Sequence, residues 1–195
     1  KVEMKDVSGK QVSLNAAKGE NGLVVIFSCN TCPFVVGNGE KSQGWENRYN
    51  NITASAKKMG MGTILINSNE AKRDKGDSFE EMTARATEME YTSFYALDEG
   101  HKMADIFGAK TTPHVFAFDA DMKLIYQGAI DDNLMTIKTL QAKLALSRTS
   151  NNVSSRPSRN ICGIRTPPTR SARRRILLTL VSKKPLYAIN SSLKP

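Results

Sequence analysis

Residues 22–34 read Gly-Leu-Val-Val-Ile-Phe-Ser-Cys-Asn-Thr-Cys-Pro-Phe, and this stretch decides the fold. The unbroken apolar run from Leu23 to Phe27 fits a strand buried on both faces, as in the middle of a helix-covered sheet. It leads into Cys29 and Cys32, two thiols separated by two residues. Such a pair can close a small disulfide or supply half of a four-ligand zinc site. A buried strand, then a cysteine pair, then a helical pattern is the context that favours redox chemistry.

Upstream, Val2-Glu3-Met4-Lys5 and Gln11-Val12-Ser13-Leu14 alternate apolar and polar residues around a Ser8-Gly9-Lys10 turn, which predicts a small hairpin flanking the main sheet. Downstream, Pro33 suits a first helical turn, where its missing N–H is not needed. Gly37, Gly39 and Gly44 are poor helix material, so either the first turns are irregular or the helix proper begins later. From Trp45 onward, Trp45, Tyr49, Ile52, Ala56 and Met59 form one apolar stripe. Thr63–Asn67 then reads as a second parallel strand, completing a βαβ unit.

Ser78 and Glu81 form a capping box that starts a helix with Met82, Ala86 and Met89 on one face. Phe94–Leu97 reads as a short strand. A short helix follows over Glu99–Phe107 with Met103, Ile106 and Phe107 inward and Gly108 closing it. Val115–Phe118 and Leu124–Gln127 predict an antiparallel hairpin at one side of the sheet. A last helix turns Leu134, Ile137, Leu140 or Gln141, and Leu144 toward the core.

The chain of 195 residues carries a formal charge of +9, but the charge is unevenly placed. Residues 1–147 hold 17 Lys+Arg against 19 Asp+Glu, a net of −2, whereas residues 148–195 hold 11 Lys+Arg and no acid, a net of +11. The basicity therefore says nothing about the face of the folded domain. The expected organisation is a domain over 1–147 and a basic, low-complexity tail over 148–195, in which Ile176–Val181 is the one apolar patch. Arg170–Arg175 is read as part of a solvated tail rather than as a nucleic-acid-binding segment. No run approaches the roughly 18 apolar residues that a membrane-spanning helix needs. The compartment is left between a bacterial-type cytoplasm and periplasm, because a targeting segment removed before Lys1 would leave no trace in the sequence.

Cys29, at or before the helix N-terminus, is the expected attacking sulfur, because unpaired backbone N–H groups there favour a thiolate. Cys32, one turn in and more buried, is the expected resolving thiol. Asn30 and Thr31 bear on the redox poise through hydrogen bonds to sulfur. A structural zinc would need two more ligands from His101, His114, Cys162 and carboxylates, with no second cysteine pair to supply them. No metal and no cofactor are therefore expected.

The combination F-S-C-N-T-C-P-F (27–34), I-N-S-N (66–69), D-S-F-E-E-M (77–82), T-P-H (112–114) and G-A-I-D-D-N (128–133) resembles the thioredoxin-like redoxin proteins, those built on the alkyl hydroperoxide reductase/thiol-specific antioxidant type of domain. The resemblance covers roughly residues 2–144. It implies an α/β thioredoxin-like fold: a central mixed sheet flanked by helices, with an N-terminal hairpin and an inserted helix within 68–97. It also implies Cys29 as nucleophile, Cys32 as resolving thiol, and a cis-proline at Pro113. Thr112 would offer backbone groups to a partner chain, His114 would fill space beside the strand, and Asp131 and Asp132 would pack or cap near the last helix. Thioredoxin's own W-C-G-P-C is absent, with Ser28 in place of the Trp, and its buried Asp is Leu23 here.

Three functions are weighed. Thiol–disulfide exchange with protein or small-molecule thiols and disulfides is the first. A thiol peroxidase is the alternative, yet the P-x-x-x-T-x-x-C spacing fails from Cys32, where Cys29 and Val25 occupy the Thr and Pro positions, and from Cys29, where Ile26 and Gly22 do. A binding-only module leaves the cysteine pair without a purpose.

Overall fold

Strand β3 (Gly22–Ser28) is buried at all seven of its residues. In this computed structural model, residues 2–39, 43–130 and 141–145 are described. β3 pairs in parallel with β4 (Met61–Asn67) and antiparallel with β6 (His114–Asp119). With β1 (Glu3–Asp6), β2 (Gln11–Ser13), β5 (Phe94–Leu97) and β7 (Leu124–Gly128), these form a seven-stranded mixed sheet in the order β2-β1-β5-β4-β3-β6-β7.

Because strand side chains alternate between faces, β3 feeds two separate cores. Val24 and Ile26 pack with Tyr49, Ile52 and Ala56 on one side, and Leu23, Val25 and Phe27 pack with Met103 and Phe107 on the other. Phe27, Phe107 and Phe116 meet edge to face with ring centroids 5.1–5.6 Å apart, the geometry aromatic quadrupoles prefer. Covering both faces requires helices on both sides, which is the expected α/β architecture.

The N-terminal hairpin forms as expected, with Met4 opposite Val12. A helix not foreseen from the sequence, α1 (Leu14–Ala17), follows it, capped by Ser13, whose hydroxyl accepts from the Ala16 N–H at 3.3 Å. Helix α2 (Pro33–Val36) is a single turn that ends at Gly37, where φ is 85°. The polypeptide becomes helical again at a 3₁₀ turn over Glu46–Arg48, followed by α3 (Tyr49–Lys58), which buries Tyr49, Ile52 and Ala56 from the apolar stripe. The glycines thus delay the helix proper.

Helix α4 (Phe79–Glu88) carries the capping box: the Ser78 hydroxyl accepts from the Glu81 N–H, and the Glu81 carboxylate accepts from the Ser78 N–H. Helix α5 (Lys102–Phe107) follows a 3₁₀ turn, and the Asp98 carboxylate accepts from the Met103 and Ala104 N–H groups at its start. Ile106, expected to face inward, is instead 67% exposed. Met103, Ala104 and Phe107 set the buried face of this short helix, which turns Ile106 toward a shallow apolar groove with Val2, Leu14 and Met122.

Residues 141–145 are helical, with Leu144 buried and Gln141 exposed. Asp131, Asp132, Leu134, Ile137, Leu140 and the expected tail over 148–195 with Cys162 lie outside the described residues. No described helix is long and apolar enough to cross a membrane.

The Glu46 carboxylate, 4% exposed, accepts from the Arg85 guanidinium, tying the start of α3 to α4, while Arg85 also reaches the exposed Glu88. Removing one partner of a buried pair leaves an uncompensated charge. Arg85→Ala is therefore expected to lower folding stability by roughly 2–4 kcal/mol, whereas Glu88→Ala should cost about 0.5 kcal/mol or less. Urea denaturation of the two variants checks this; equal midpoints would sink it.

Candidate active site

β3 does not end at the protein surface. Its last residue, Ser28, pairs with Asn67 of β4, and the hydroxyls of Ser28 and Tyr49 share a buried hydrogen bond of 2.8 Å. Cys29 continues from this sealed end and is 3% exposed, whereas Cys32 is half-buried. Cys32 is the N-cap residue of α2, its carbonyl accepting from the Val35 and Val36 N–H groups at 2.8 and 2.9 Å, with Pro33 opening the helix.

Both thiols are free and meet on one residue of the opposite loop. Cys29 Sγ shares a 3.4 Å hydrogen bond with Thr112 Oγ1, and Cys32 Sγ donates to the Thr112 carbonyl at 3.4 Å. The Thr112–Pro113 peptide is cis. The pair opens on a cleft of about 280 Å³ lined by Phe27, Cys29, Cys32, Asn69, Lys110 and Thr112, among others.

The two sulfurs are buried in the reverse of the expected order. Helix α2 begins only at Pro33, which has no N–H, and the Val35 and Val36 N–H groups are spent on the Cys32 carbonyl, so the helix start offers Cys29 little beyond the Cys32 N–H. Cys29 remains on the buried extension of β3, and that burial pushes its thiol up to about 11. The hydrogen bonds from Thr112 and from the Cys32 backbone pull it back in part, and the neighbouring Asp77 charge and Cys32 add to the rise. A ready thiolate at Cys29, expected from the sequence, is not what this environment favours.

Asn30 and Thr31 are held by residues far away in sequence. The Asp77 carboxylate accepts from the Asn30 backbone N–H at 2.6 Å and from the Thr31 hydroxyl at 2.7 Å. It also accepts from the side-chain amides of Asn67 at 2.7 Å and Asn69 at 2.8 Å. The Asn30 amide donates to the Gly76 carbonyl at 3.0 Å, while its oxygen accepts from the Tyr95 hydroxyl at 2.8 Å. These bonds go to the backbone and to oxygen, and the sulfurs are met by Thr112. Asp77, Asn67, Asn69 and Tyr95 were not foreseen as site residues: Asp77 reads as the residue before a helix cap, and no spacing rule links it to residue 30.

His114 begins β6 opposite Phe27, packs tilted against Phe116 with centroids 4.5 Å apart, and accepts from the Lys110 N–H at 3.3 Å. Burial, and then the Lys110 charge, lower its pKa. Among the described residues, no group of three or more His, Cys, Asp or Glu side chains is arranged to hold a metal ion.

A model of the family described as Redoxin matches residues 1–144. The chain belongs to the redoxin family. No curated protein matches it. Among solved structures, this redoxin is similar to an uncharacterised conserved protein from Geobacillus kaustophilus, at 31% identity and a TM-score of 0.59, over 67% of this chain and 66% of that one. It is also similar to a hypothetical protein from Sinorhizobium meliloti 1021, at 25% identity and a TM-score of 0.58, over 68% of each chain. The thioredoxin domain of a thiol-disulfide oxidoreductase from Bacteroides vulgatus shares the fold, at 19% identity and a TM-score of 0.54, over 73% of this chain and 92% of that one. A C-x-x-C pair in a redoxin fold supports thiol–disulfide chemistry in general.

With a pKa of about 11, only about one Cys29 in a thousand is ionised near pH 8. Iodoacetamide near that pH is expected to label Cys32 well before Cys29. Cys29 labelling should climb about tenfold per pH unit until it levels near pH 11. Peptide mass analysis reads both, and labelling of Cys29 first at neutral pH would contradict the burial order.

Proposed function

We propose that this redoxin is a thiol–disulfide oxidoreductase whose Cys29 and Cys32 alternate between dithiol and disulfide. The observation that carries the reading is the convergence of both sulfurs on Thr112 at the floor of an open cleft. Two thiols that share one contact residue need only a small movement to bond to each other, and the cleft gives a partner's sulfur a way in.

In the reducing direction, one thiolate attacks a sulfur of the partner's disulfide, forming a mixed disulfide and expelling the partner's other sulfur, which takes up a proton. The second cysteine, its proton lost to solvent, attacks the sulfur of the first. This closes the Cys29–Cys32 disulfide and expels the partner's remaining thiolate. The pair loses two electrons, the partner disulfide gains two, and two protons follow. The reverse sequence oxidises a dithiol partner.

The family resemblance makes Cys29 the attacking sulfur and Cys32 the resolving one. Burial favours the other order, because Cys32 is the sulfur a partner reaches and Cys29 is a protonated thiol held inside. A resolving thiol needs no solvent access, since its target is delivered to it. The P-x-x-x-T-x-x-C spacing that positions a peroxide fails from both cysteines, so exchange is favoured over the peroxidase alternative. The partners are protein or small-molecule thiols and disulfides.

Redox titration in glutathione buffers tests the reading. The wild type is expected to follow a two-electron curve that Cys29→Ser and Cys32→Ser each abolish. A midpoint near about −120 mV would indicate an oxidant and one near about −270 mV a reductant. The single variants also decide the order, because the variant keeping the attacking sulfur accumulates a partner adduct. Trapping on Cys29→Ser supports Cys32 as first attacker, and trapping on Cys32→Ser supports Cys29. A wild type that stays in one state across the buffer range would end the oxidoreductase reading.

A further inference from the structure

Asp77 is a fully buried carboxylate that disulfide exchange, as written above, leaves without a task. It comes from the segment between β4 and α4, far along the chain from the cysteines. Its oxygens accept four hydrogen bonds, all from uncharged donors: the Asn30 N–H, the Thr31 hydroxyl, and the amides of Asn67 and Asn69. The nearby Arg73 guanidinium is spent on main-chain carbonyls, donating to those of Asp77 at 2.6 Å and Asn67 at 3.3 Å, and on the Glu70 carboxylate.

A buried anion held only by neutral donors keeps its field, and in a low-dielectric interior that field reaches the next ionisable group. Here that group is Cys29, which feels the Asp77 charge. The other ionisable groups around Cys29 are Cys32 and the phenols of Tyr49 and Tyr95. Burial holds both phenols in the neutral form, since it raises the pKa of each. Lys110 also lines the cleft.

We propose that Asp77 is a positioning residue of the redox site: its buried carboxylate clamps the Asn30–Thr31 bridge between the cysteines and, bonded to the residue next to Cys29, sets a fixed negative charge beside that sulfur. The Asn-Thr dipeptide then serves as the attachment point of the inserted segment, with Asn30 fixed at three atoms and Thr31 at its hydroxyl. The proposal rests on the oxidoreductase reading for its purpose, but the clamp itself can be measured without turnover.

The test uses the full chain carrying Cys32→Ser, so that the iodoacetamide rate of Cys29 is read alone, with circular dichroism reporting the fold. In Asp77→Asn the amide oxygen still accepts from Asn30 and Asn67, while its N–H groups face the Thr31 hydroxyl, able to accept, and an Asn69 amide that flips to present its oxygen to both. Shape and clamp are retained and the charge is lost. Cys29 alkylation near pH 8.5 is expected to rise about three- to tenfold, its pH profile moving down by roughly half a unit to one unit. Thr31→Val removes one donor and leaves the charge less compensated, so the rate is expected to fall about two- to threefold. Opposite shifts in two folded variants support the proposal. Equal rates in all three proteins, or shifts in the same direction, overturn it, because general loosening of the loop would speed both variants. Where Asp77→Asn does not fold, Thr31→Val decides alone: a fall supports the clamp, and no change or a rise overturns it. A wild type that fails to cycle in glutathione buffers removes the oxidoreductase reading and leaves this result standing.

Discussion

The interior position of β3 governs this molecule. Flanked by β4 and β6 and covered on both faces, it is buried at every residue. The chain leaves the strand at Cys29 while still inside the protein, under the Ser28–Tyr49 hydroxyl pair. Desolvation at that point disfavours the thiolate, and only three residues later does Cys32 approach the surface. Two chemically identical side chains thereby acquire different accessibility from the path of one strand. That difference is what a two-step exchange requires.

The short α2 sharpens the point. A longer helix starting at the cysteines would aim several aligned N–H groups at them, and the dipole would do much of the tuning. Here the helix is a single turn closed by Gly37, and the Trp45 N–H returns to the Val35 carbonyl at 2.8 Å. Gly44 makes that return possible: its φ is 72°, and a Cβ there would collide with the Val35 carbonyl and the Gly37 nitrogen. With so little helix behind the pair, side-chain and backbone groups of Thr112 and the carboxylate of Asp77 are left as its main electrostatic neighbours.

Much of the fold was legible because it is written in local periodicities. The apolar run of β3, the alternation in the hairpin, the Tyr49-Ile52-Ala56 stripe and the Ser78/Glu81 box each sit within a window of a dozen residues, and each has its counterpart in the structure. What was misread or missed is set by contacts across the chain. Ile106 faces out because Met103, Ala104 and Phe107 take the sheet, a choice that three apolar residues in a short helix do not reveal. The burial order of the cysteines turns on where α2 starts, which Pro33 permits without specifying. Asp77 touches Asn30 across 47 positions, beyond any spacing rule.

That distance has a mechanical consequence. The segment from Asn67 to Asp77 leaves β4, the parallel neighbour of β3, and its carboxylate returns to the bridge between the cysteines. The bridge is therefore referenced to the sheet twice, once through the continuous backbone from β3 and once through β4 by way of Asp77. Asn67 is fully buried and couples both routes, since it pairs with Ser28 in the ladder while its amide donates to Asp77 and to the Tyr95 hydroxyl on β5. A loop anchored to three adjacent strands cannot drift relative to the strand that carries its cysteine. A sulfur–sulfur geometry fixed in this way depends on the central sheet rather than on the one-turn helix that follows it.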